Sequence, residues 1–253
     1  MIVSSTEIQN NFGRYLMLAA AEDIIITKNG KEIAKLCSIN PKFLMSSNDV
    51  VMVEEEAPEY MGDYGGKKAT YEEFLELVTK SEKRYEYIDG EIYCLSSPKT
   101  VHQIAVAEIF VSFYNFFQGK KCSPMVAPYD ITLKRNQKNI NVVQPDIMVI
   151  CDLEEKLNEK DYYMGVPSLI VEVISESTRA KDFVKKLDLY MSCGVKEYWI
   201  VNPLNKEVAV YAFRDCDIYA NITFRQSETA KSYIFEGLTI DLSRIFLSFF
   251  TAK

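Results

Sequence analysis

Histidine is the scarcest reactive residue of this 253-residue chain, which contains one histidine, His102, and one tryptophan. Many enzymes use imidazole as a base, a nucleophile or a metal ligand. A single histidine excludes zinc sites built from several histidines and acid/base pairs of two imidazoles. Carboxylates, in contrast, are abundant: 36 Asp and Glu stand against 29 Lys and Arg, with a formal net charge of -7. We therefore expect any chemistry of this chain to depend on carboxylates.

Long apolar runs and export signals are also missing. No stretch approaches the roughly 18 consecutive apolar residues of a membrane helix. The N-terminus has no basic region followed by an apolar one. We expect a cytoplasmic, globular protein with no membrane partner.

Cysteine occurs six times, but in no pattern typical of a disulfide scaffold or a metal site. The chain contains no C-x-x-C pair, and each cysteine stands in or beside an apolar run. We therefore expect reduced thiols in the core of a cytosolic protein. The six residues are Cys37, Cys94, Cys122, Cys151, Cys193 and Cys216.

An acidic segment, residues 46–66, divides the chain. It holds six acids and no base before a final Gly-Gly, a composition typical of a linker. It could also occupy a basic cleft in place of nucleic acid. The sequence thus predicts a small domain over residues 1–45, a linker over 46–66 and a larger, nearly neutral domain over 67–253.

The first domain is expected to contain a strand, a helix and a hairpin. Ser5 or Thr6 can cap the helix, whose apolar residues recur at the spacing of one buried face. These apolar residues are Ile8, Phe12, Leu16 and Ala19. Asn29-Gly30 between two apolar runs predicts the hairpin turn. So small a core rarely stands alone, which suggests a homodimer.

Residues 25–36 resemble the antitoxins of the Phd/YefM type, whose motif I-I-T-K-N-G-K-x-I-A-x-L they match. The resemblance covers residues 1 to about 45. It implies a small α+β domain that dimerises and binds DNA. The bases available for DNA are Arg14, Lys28 and Lys31, and ordinary surface charge is the alternative interpretation of all three.

The larger domain alternates between helical and strand-like patterns. Helices are predicted over residues 71–78, 102–119 and 179–191, and Asp89-Gly90 predicts a turn between two strands. Further strands are predicted over 129–133, 144–150 and 168–174 and in the runs EYWIV, EVAVYAF and KSYIFEG. This order indicates an α/β (α+β) fold with one mixed sheet around one core.

Acids placed among apolar residues carry the functional signal. Asp146 follows Pro145 in QPDIMVI, and Glu172 interrupts the apolar run LIVEVIS. Asp130, in YDITL, shows the pattern more weakly, since a half-exposed strand explains it equally well. Buried carboxylates are paired, hydrogen-bonded or bound to a metal. Two acids on neighbouring strands would repel each other without a cation, and Mg²⁺ prefers oxygen ligands, so we predict a divalent-metal site.

These motifs resemble the PD-(D/E)XK nuclease superfamily and, within it, the Uma-two family. The matching segments are RYEYIDGEIY, QPDIMVI, IVEVISESTRAKDFVKKLDLY and GVKEYWIVNP, across residues 67 to about 246. The resemblance implies a restriction-endonuclease-like mixed sheet flanked by helices, and a Mg²⁺ (or Mn²⁺) nuclease site. One departure is Ile174, which stands where the superfamily has its lysine, two residues after Glu172.

A lysine is nevertheless available on the following helix. The apolar residues of that helix form one face at about 100° per residue: Phe183, Val184, Leu187, Tyr190 and Met191. Lys186 falls at the edge of this face, whereas Lys185 points to solvent. The Uma-two resemblance also implies a lysine moved from the strand to this helix. A plain i, i+4 ion pair between Asp182 and Lys186 is the alternative.

Three more residues are candidates for the site. Glu86, in RYEYIDG, matches a further acid that the superfamily supplies as a metal ligand. Gln144, two residues before Asp146, could hydrogen-bond the attacking water or the DNA backbone, although an exposed edge residue explains it as well. His102, at a helix N-terminus, could contact substrate, although a structural role is favoured.

The sequence therefore predicts a metal-dependent endonuclease that hydrolyses DNA. Asp146 and Glu172 would hold Mg²⁺ with help from Glu86, while Lys186 would orient the attacking water or stabilise the developing charge. The acidic net charge does not oppose this prediction, because a nuclease needs only a locally basic cleft.

Two alternatives remain open at this point. The chain could be a non-catalytic DNA-binding regulator with a degenerate nuclease domain, or a toxin-like nuclease fused to its own antitoxin. A fused antitoxin predicts that residues 67–253, expressed alone, are more toxic than the whole chain.

Overall fold

The structure is a computed structural model that divides into two compact units, residues 1–58 and 59–253. It describes residues 2–10, 12, 15, 23–28, 30–36, 65–175 and 181–246. Arg14 and nearly all of the predicted linker lie outside the described residues.

The first unit is a small α+β arrangement. It contains strand β1 (Ile2–Ser4), helix α1 (Ser5–Asn10) and strands β2 (Ile24–Lys28) and β3 (Lys31–Leu36). β2 pairs in parallel with β1 and antiparallel with β3, as the hairpin prediction requires. Its buried core consists of Val3, Ile8, Tyr15 and Ile24.

Two details of this unit differ from the sequence prediction. Ser4, rather than Ser5 or Thr6, accepts a hydrogen bond from the Glu7 backbone N–H at the helix start, because the chain leaves β1 one residue earlier than expected. Phe12 is 51% exposed and is not on a buried face. Leu16 and Ala19 lie outside the described residues.

The second unit is built on a six-stranded mixed sheet. Its strand order is β14-β13-β12-β11-β10-β7, and the β11–β12 pair is parallel while the others are antiparallel. The strands are β7 (Ser123–Val126), β10 (Ile147–Ile150), β11 (Leu169–Val173), β12 (Glu197–Asn202), β13 (Glu207–Arg214) and β14 (Asp217–Arg225).

A five-stranded antiparallel sheet accompanies it, in the order β4-β6-β5-β9-β8. Its strands are β4 (Gly65–Lys68), β5 (Tyr85–Ile88), β6 (Glu91–Cys94), β8 (Ile131–Lys134) and β9 (Ile140–Val143). Asp89 and Gly90 join β5 to β6 with positive φ at both residues, which confirms the predicted turn. The prediction of one sheet is wrong, because these five strands pair with one another and not with the six-stranded sheet.

Helices cover these sheets, and a short ribbon completes the unit. The helices are α2 (Tyr71–Lys80), α3 (Thr100–Phe117), α4 (Leu153–Lys156), a π-helix (Lys181–Lys186), α5 (Leu187–Ser192) and α6 (Leu242–Ile245). The ribbon pairs β15 (Thr229–Lys231) with β16 (Thr239–Asp241). The predicted strand KSYIFEG is wrong, since β15 ends at Lys231 and a turn follows. None of the described helices combines the length and apolar character needed to cross a membrane.

Alternation along β10 and β11 separates two hydrophobic cores. Ile147 and Val171 face the core that is formed with α3, whereas Met148 and Ile170 face the core shared with the five-stranded sheet and α5. Because successive side chains of a strand point to opposite faces, Glu172 falls on the same face as Ile170. The polar site is therefore built inside the second core.

A disulfide crosses two neighbouring strands of the six-stranded sheet. Cys122 precedes β7 and Cys151 follows β10, and the register pairs Ser123 with Ile150. The two cysteines are therefore opposite each other, with Cα atoms 4.0 Å apart, and they are bonded. The prediction of reduced thiols is wrong for this pair.

The other described cysteines are free thiols. Cys94 and Cys193 are half-buried, but Cys216 is exposed, so its predicted core position is also wrong. Cys216 follows Asp215 in the turn between β13 and β14, and both have positive φ. A tight turn of this kind lies at the surface. Cys37 lies outside the described residues.

Gly165 offers a stability test of the second core. A Cβ atom at this position would lie 2.8 Å from Cε2 of Tyr163 and closer still to Cζ and Oη. Tyr163 is buried, and its hydroxyl donates to Asp152 at 2.6 Å, so the ring has little room to move. We expect Gly165→Ala to lower the free energy of unfolding by about 1–3 kcal/mol.

Urea unfolding followed by the fluorescence of Trp199 measures this cost. The control is the same change in a Tyr163→Leu background, where the ring is gone and the added methyl group should cost much less. Equal costs in both backgrounds would contradict the explanation.

Candidate active site

Two acids lie opposite each other on neighbouring strands. Asp146 directly precedes β10, and it continues the register that pairs Ile147 with Val171, so that it faces Glu172 across the strands. The Val173 backbone N–H donates to Asp146 Oδ2 at 2.8 Å and fixes this carboxylate. The Asp146 side chain is 19% exposed, whereas Glu172 is buried. The predicted pair of acids is thus brought together at one end of the sheet.

Glu172 is held by two side chains that follow it in the sequence. Lys186 Nζ donates to Glu172 Oε1 at 2.7 Å, and the Tyr190 hydroxyl donates to the same oxygen at 2.7 Å. All three side chains are buried. The lysine predicted to lean toward the sheet therefore contacts the strand acid directly.

Glu86 belongs to the same cluster, although it comes from the other sheet. It lies in β5 and is fully buried. Its Oε1 lies 2.7 Å from Lys186 Nζ and accepts from the Gln144 backbone N–H at 3.1 Å, and its Oε2 accepts from Lys181 Nζ at 2.7 Å. Lys186 consequently bridges β5 of one sheet and β11 of the other.

The two glutamates differ in their ionisation. Burial would raise the pKa of Glu86, but the charges of Lys186 and Lys181 outweigh it and lower that pKa to about 2. Burial raises the pKa of Glu172 to about 8, because Lys186 offsets it only in part and the neighbouring carboxylates oppose ionisation. Those carboxylates are Asp146, Asp182 and Glu86. Glu86 is thus the more firmly charged of the two glutamates, and burial favours the neutral form of Glu172.

The π-helix explains why two lysines contact one carboxylate. Its hydrogen bonds join residues i and i+5, so Lys181 and Lys186 lie on the same side and both contact Glu86. The regular α-helix assumed from the sequence predicts the wrong environment for Val184 and for Lys185. Val184 is 66% exposed instead of buried. Lys185 does not simply point to solvent, since its Nζ contacts Glu91 and Tyr93.

Asp182 remains near Lys186, as the i, i+4 alternative required. Its Oδ1 lies 3.8 Å from Lys186 Nζ, farther than the oxygens of Glu86 and Glu172. The helical ion pair is therefore present, but it is the weakest of the three contacts of this ammonium group.

His102 and Gln144 lie at the border of the cluster. His102 Nε2 is 3.2 Å from Asp146 Oδ2, while Nδ1 is buried without a hydrogen-bond partner among the described residues. Gln144 Nε2 donates to Asp130 Oδ1 at 2.8 Å, and its Oε1 is likewise buried and unpaired in the described part. Asp130 is exposed and contacts Gln144 rather than the buried acids.

The residues predicted from the sequence to bind DNA belong to the first unit. Lys28 ends β2, Lys31 begins β3, and the two form an exposed pair across the hairpin. Arg14 is outside the described residues.

A metal ion fits two of the three predicted acids. Within the described ranges, no three His, Cys, Asp or Glu side chains are grouped to hold a metal, and Glu86 is engaged by two lysines. Asp146 Oδ1 and Glu172 Oε2, however, make no hydrogen bond within the described part of the chain. Mg²⁺ is often bound by one or two carboxylates and keeps several waters. The donor set of Asp146 and Glu172 matches that preference.

Sequence reasoning missed Lys181 and Tyr190 as members of the cluster. Tyr190 follows Lys186 by four residues, so a search for polar groups beside the lysine on the helix could have found it. Lys181 gave no such signal, since its role depends on the π-helical geometry.

Comparisons with known proteins agree with this fold. Residues 71–243 match the model of the Uma2 family, described as "putative restriction endonuclease". The "Uncharacterized protein slr1290" of Synechocystis sp. (strain ATCC 27184 / PCC 6803 / Kazusa) is 26% identical over 162 residues, which cover 64% of this chain and 83% of that protein.

A solved structure shows the same fold. The crystal structure of a "putative nuclease belonging to DUF820" from Anabaena variabilis ATCC 29413 aligns with a TM-score of 0.57 and 19% identity. The alignment covers 70% of this chain and 97% of the other. The mixed α+β, restriction-endonuclease-like fold predicted from the sequence is thereby confirmed.

Removal of the Lys186 ammonium group should be strongly destabilising. Lys186→Met would leave Glu172 and Glu86 buried with less positive charge, so we expect a loss of about 3–5 kcal/mol in the free energy of unfolding. Lys185→Met removes the same charge from a more exposed ion pair and should cost less than about 1 kcal/mol. Urea unfolding of both variants decides the point, and equal losses would contradict the buried bridge.

Proposed function

Because the chain belongs to the Uma2 family, described as putative restriction endonucleases, we propose that it is a metal-dependent endonuclease that hydrolyses DNA phosphodiester bonds. One observation carries the proposal: Asp146, directly before β10, is hydrogen-bonded to β11 next to Glu172, and the buried Lys186 holds Glu172. Paired acids with an adjacent lysine are suited to phosphodiester hydrolysis, which needs an activated water and compensation of developing negative charge.

Asp146 and Glu172 would hold Mg²⁺ or Mn²⁺. When bound, such an ion lowers the pKa of a water ligand and polarises the phosphate. The chain's own residues fix the two carboxylates. The Val173 N–H holds Asp146 Oδ2, while Lys186 and Tyr190 hold Glu172 Oε1. The other oxygen of each acid makes no hydrogen bond to a described residue and would be the metal ligand.

Glu86 has a different role from the one expected of a metal ligand. Its low pKa and its two lysine partners make it the anchor of the cluster. We infer that Glu86 orients Lys186 and Lys181, and that it supports the metal site through Lys186 rather than by direct ligation.

The N-terminal unit would supply dimerisation and DNA docking. Lys28 and Lys31 are exposed on its hairpin and would contact the DNA backbone. A homodimer would present two such hairpins to one duplex.

A non-catalytic DNA-binding protein is the second candidate. The observation that favours it is Lys186 itself, which neutralises two acids in the place where a nuclease could use a metal. Gel-shift binding that needs no divalent metal and is unchanged in Glu172→Gln, together with absent cleavage, would select this alternative.

Cleavage of plasmid and linear duplex DNA with Mg²⁺ or Mn²⁺ tests the proposed activity. We expect Asp146→Ala to lower the rate to below about 1% of wild type, because one of two metal ligands is lost. Asp146→Asn retains an oxygen that can accept from the Val173 N–H, so it separates loss of the ligand charge from loss of the fold. Asp217→Ala, at an exposed position in the edge strand β14, is the matched control and should cleave normally.

RNA of the same sequence, cleaved in parallel, identifies the substrate. Absence of cleavage of both nucleic acids, combined with no Mn²⁺ binding that depends on Asp146, would refute the enzyme.

A further inference from the structure

The ammonium group of Lys186 is surrounded by carboxylates and is not available to a substrate. Its side chain is 3% exposed, and its ammonium group contacts Glu86 at 2.7 Å, Glu172 at 2.7 Å and Asp182 at 3.8 Å. An ammonium group has three N–H donors, and three carboxylates surround this one. Contact with a phosphate would require it to leave at least one buried acid uncompensated, which is costly.

Lys181 is placed differently, although it shares Glu86 with Lys186. Its side chain is 13% exposed, and its Nζ contacts one carboxylate, Glu86 Oε2, within the described part of the chain. The Tyr93 ring also lies near the ammonium group, with its centroid 5.3 Å away. Lys181 is therefore fixed at one point by Glu86, and it keeps donors for a ligand.

A second cation, Arg84, directly precedes the strand that carries Glu86. Arg84 is exposed, and its backbone carbonyl accepts from the Leu95 N–H, so the β5–β6 pairing continues through it. Residues two apart in a strand share a face, which places Arg84 on the Glu86 side. An arginine and a lysine are thus on the same side of β5, next to the buried acids, where an anionic chain could lie.

We propose that Lys181 is the lysine that contacts a backbone phosphate of the bound nucleic acid, and that Lys186 is a positioning residue that holds Glu86 and Glu172. This inference rests on the proposed nuclease function and divides between two lysines the role first expected of Lys186 alone.

The assignment gives Lys181 a defined part in hydrolysis. Water adds to phosphorus, and the bond from phosphorus to one ester oxygen breaks. The proton lost by the water goes to solvent, and the departing ester oxygen takes one from solvent. Negative charge grows on the non-bridging oxygens, and an N–H of Lys181 donates to one of them while Glu86 keeps the ammonium group in place.

DNA binding without divalent metal tests the contact before any chemistry. The probe is a fluorescent duplex of about 20 base pairs, titrated with full-length protein between about 50 and 200 mM salt. Loss of one phosphate contact should reduce the slope of log affinity against log salt by about 0.9. We therefore expect this reduction, with several-fold weaker binding, for Lys181→Met.

Lys185→Met is the matched control. It removes the same charge from the same π-helix, but Lys185 contacts Glu91 and Tyr93 outside the acid cluster. Its salt slope should equal that of wild type. Lys181→Arg, which keeps a cation next to Glu86, should restore most of the slope.

Cleavage kinetics give a second readout for an active enzyme. Lys181→Met should lower kcat by about a hundred-fold, the cost typical of a lost donor to a charged transition state, while Lys181→Arg retains most of the rate. Unfolding measurements should show Lys181→Met to be much more stable than Lys186→Met, because Glu86 still contacts Lys186 when Lys181 is replaced.

The outcomes separate the two proposals. If the wild type cleaves no nucleic acid, the nuclease function fails, but the salt slopes still decide whether Lys181 contacts phosphate. If the slope of Lys181→Met equals that of Lys185→Met, the assignment of Lys181 is overturned, whatever the cleavage rates are.

Discussion

The contact of one buried ammonium group with two buried carboxylates underlies the rest of the site. Lys186 lies between Glu86 of the five-stranded sheet and Glu172 of the six-stranded sheet, at 2.7 Å from each. Burying any of these charges alone would cost several kcal/mol, so the three groups are stable only together. The position of the π-helix, the alignment of the Glu172 carboxylate and the joining of the two sheets at this point all depend on that contact.

The π-helix follows from the same constraint. A regular α-helix places residues five apart on different sides, and it could not direct both Lys181 and Lys186 at the single carboxylate of Glu86. The i to i+5 hydrogen bonding of Lys181–Lys186 does so. Val184 is exposed as a consequence. The exposure of Val184 is thus accompanied by a Glu86 carboxylate that pairs with two lysines.

The energetic cost of burying a charged side chain explains how much of the site could be predicted from the sequence. Asp146, Glu172 and Lys186 could be grouped because acids in apolar strands need cations, and this requirement is visible in the sequence. The contacts of Lys181, Lys185 and Val184 could not, because they depend on a helix type that apolar spacing does not report.

The fold, too, has features that local sequence patterns predict and features that depend on pairing between distant segments. The α3 helix and the turn at Asp89-Gly90 follow from local patterns. The disulfide does not, because Cys122 and Cys151 meet through the register of β7 with β10, and β7 contains Pro124 and gave no strand signal. Pairing between segments distant in sequence is set by tertiary packing, which neither composition nor periodicity records.

The balance of charge argues for a divalent cation in the working site. Within the described residues the cluster holds four carboxylates, Glu86, Asp146, Glu172 and Asp182, and two lysines. Burial is the main cause of the raised pKa of Glu172, and its carboxylate neighbours add to it. A bound phosphodiester adds a further negative charge. Lys186 already contacts Glu86 and Glu172, and Lys181 contacts Glu86, so neither lysine pairs with Asp146 in the described part of the chain. An ion of charge +2 held by Asp146 and Glu172 would favour the ionised form of both acids and would offset part of the negative charge of a bound phosphodiester.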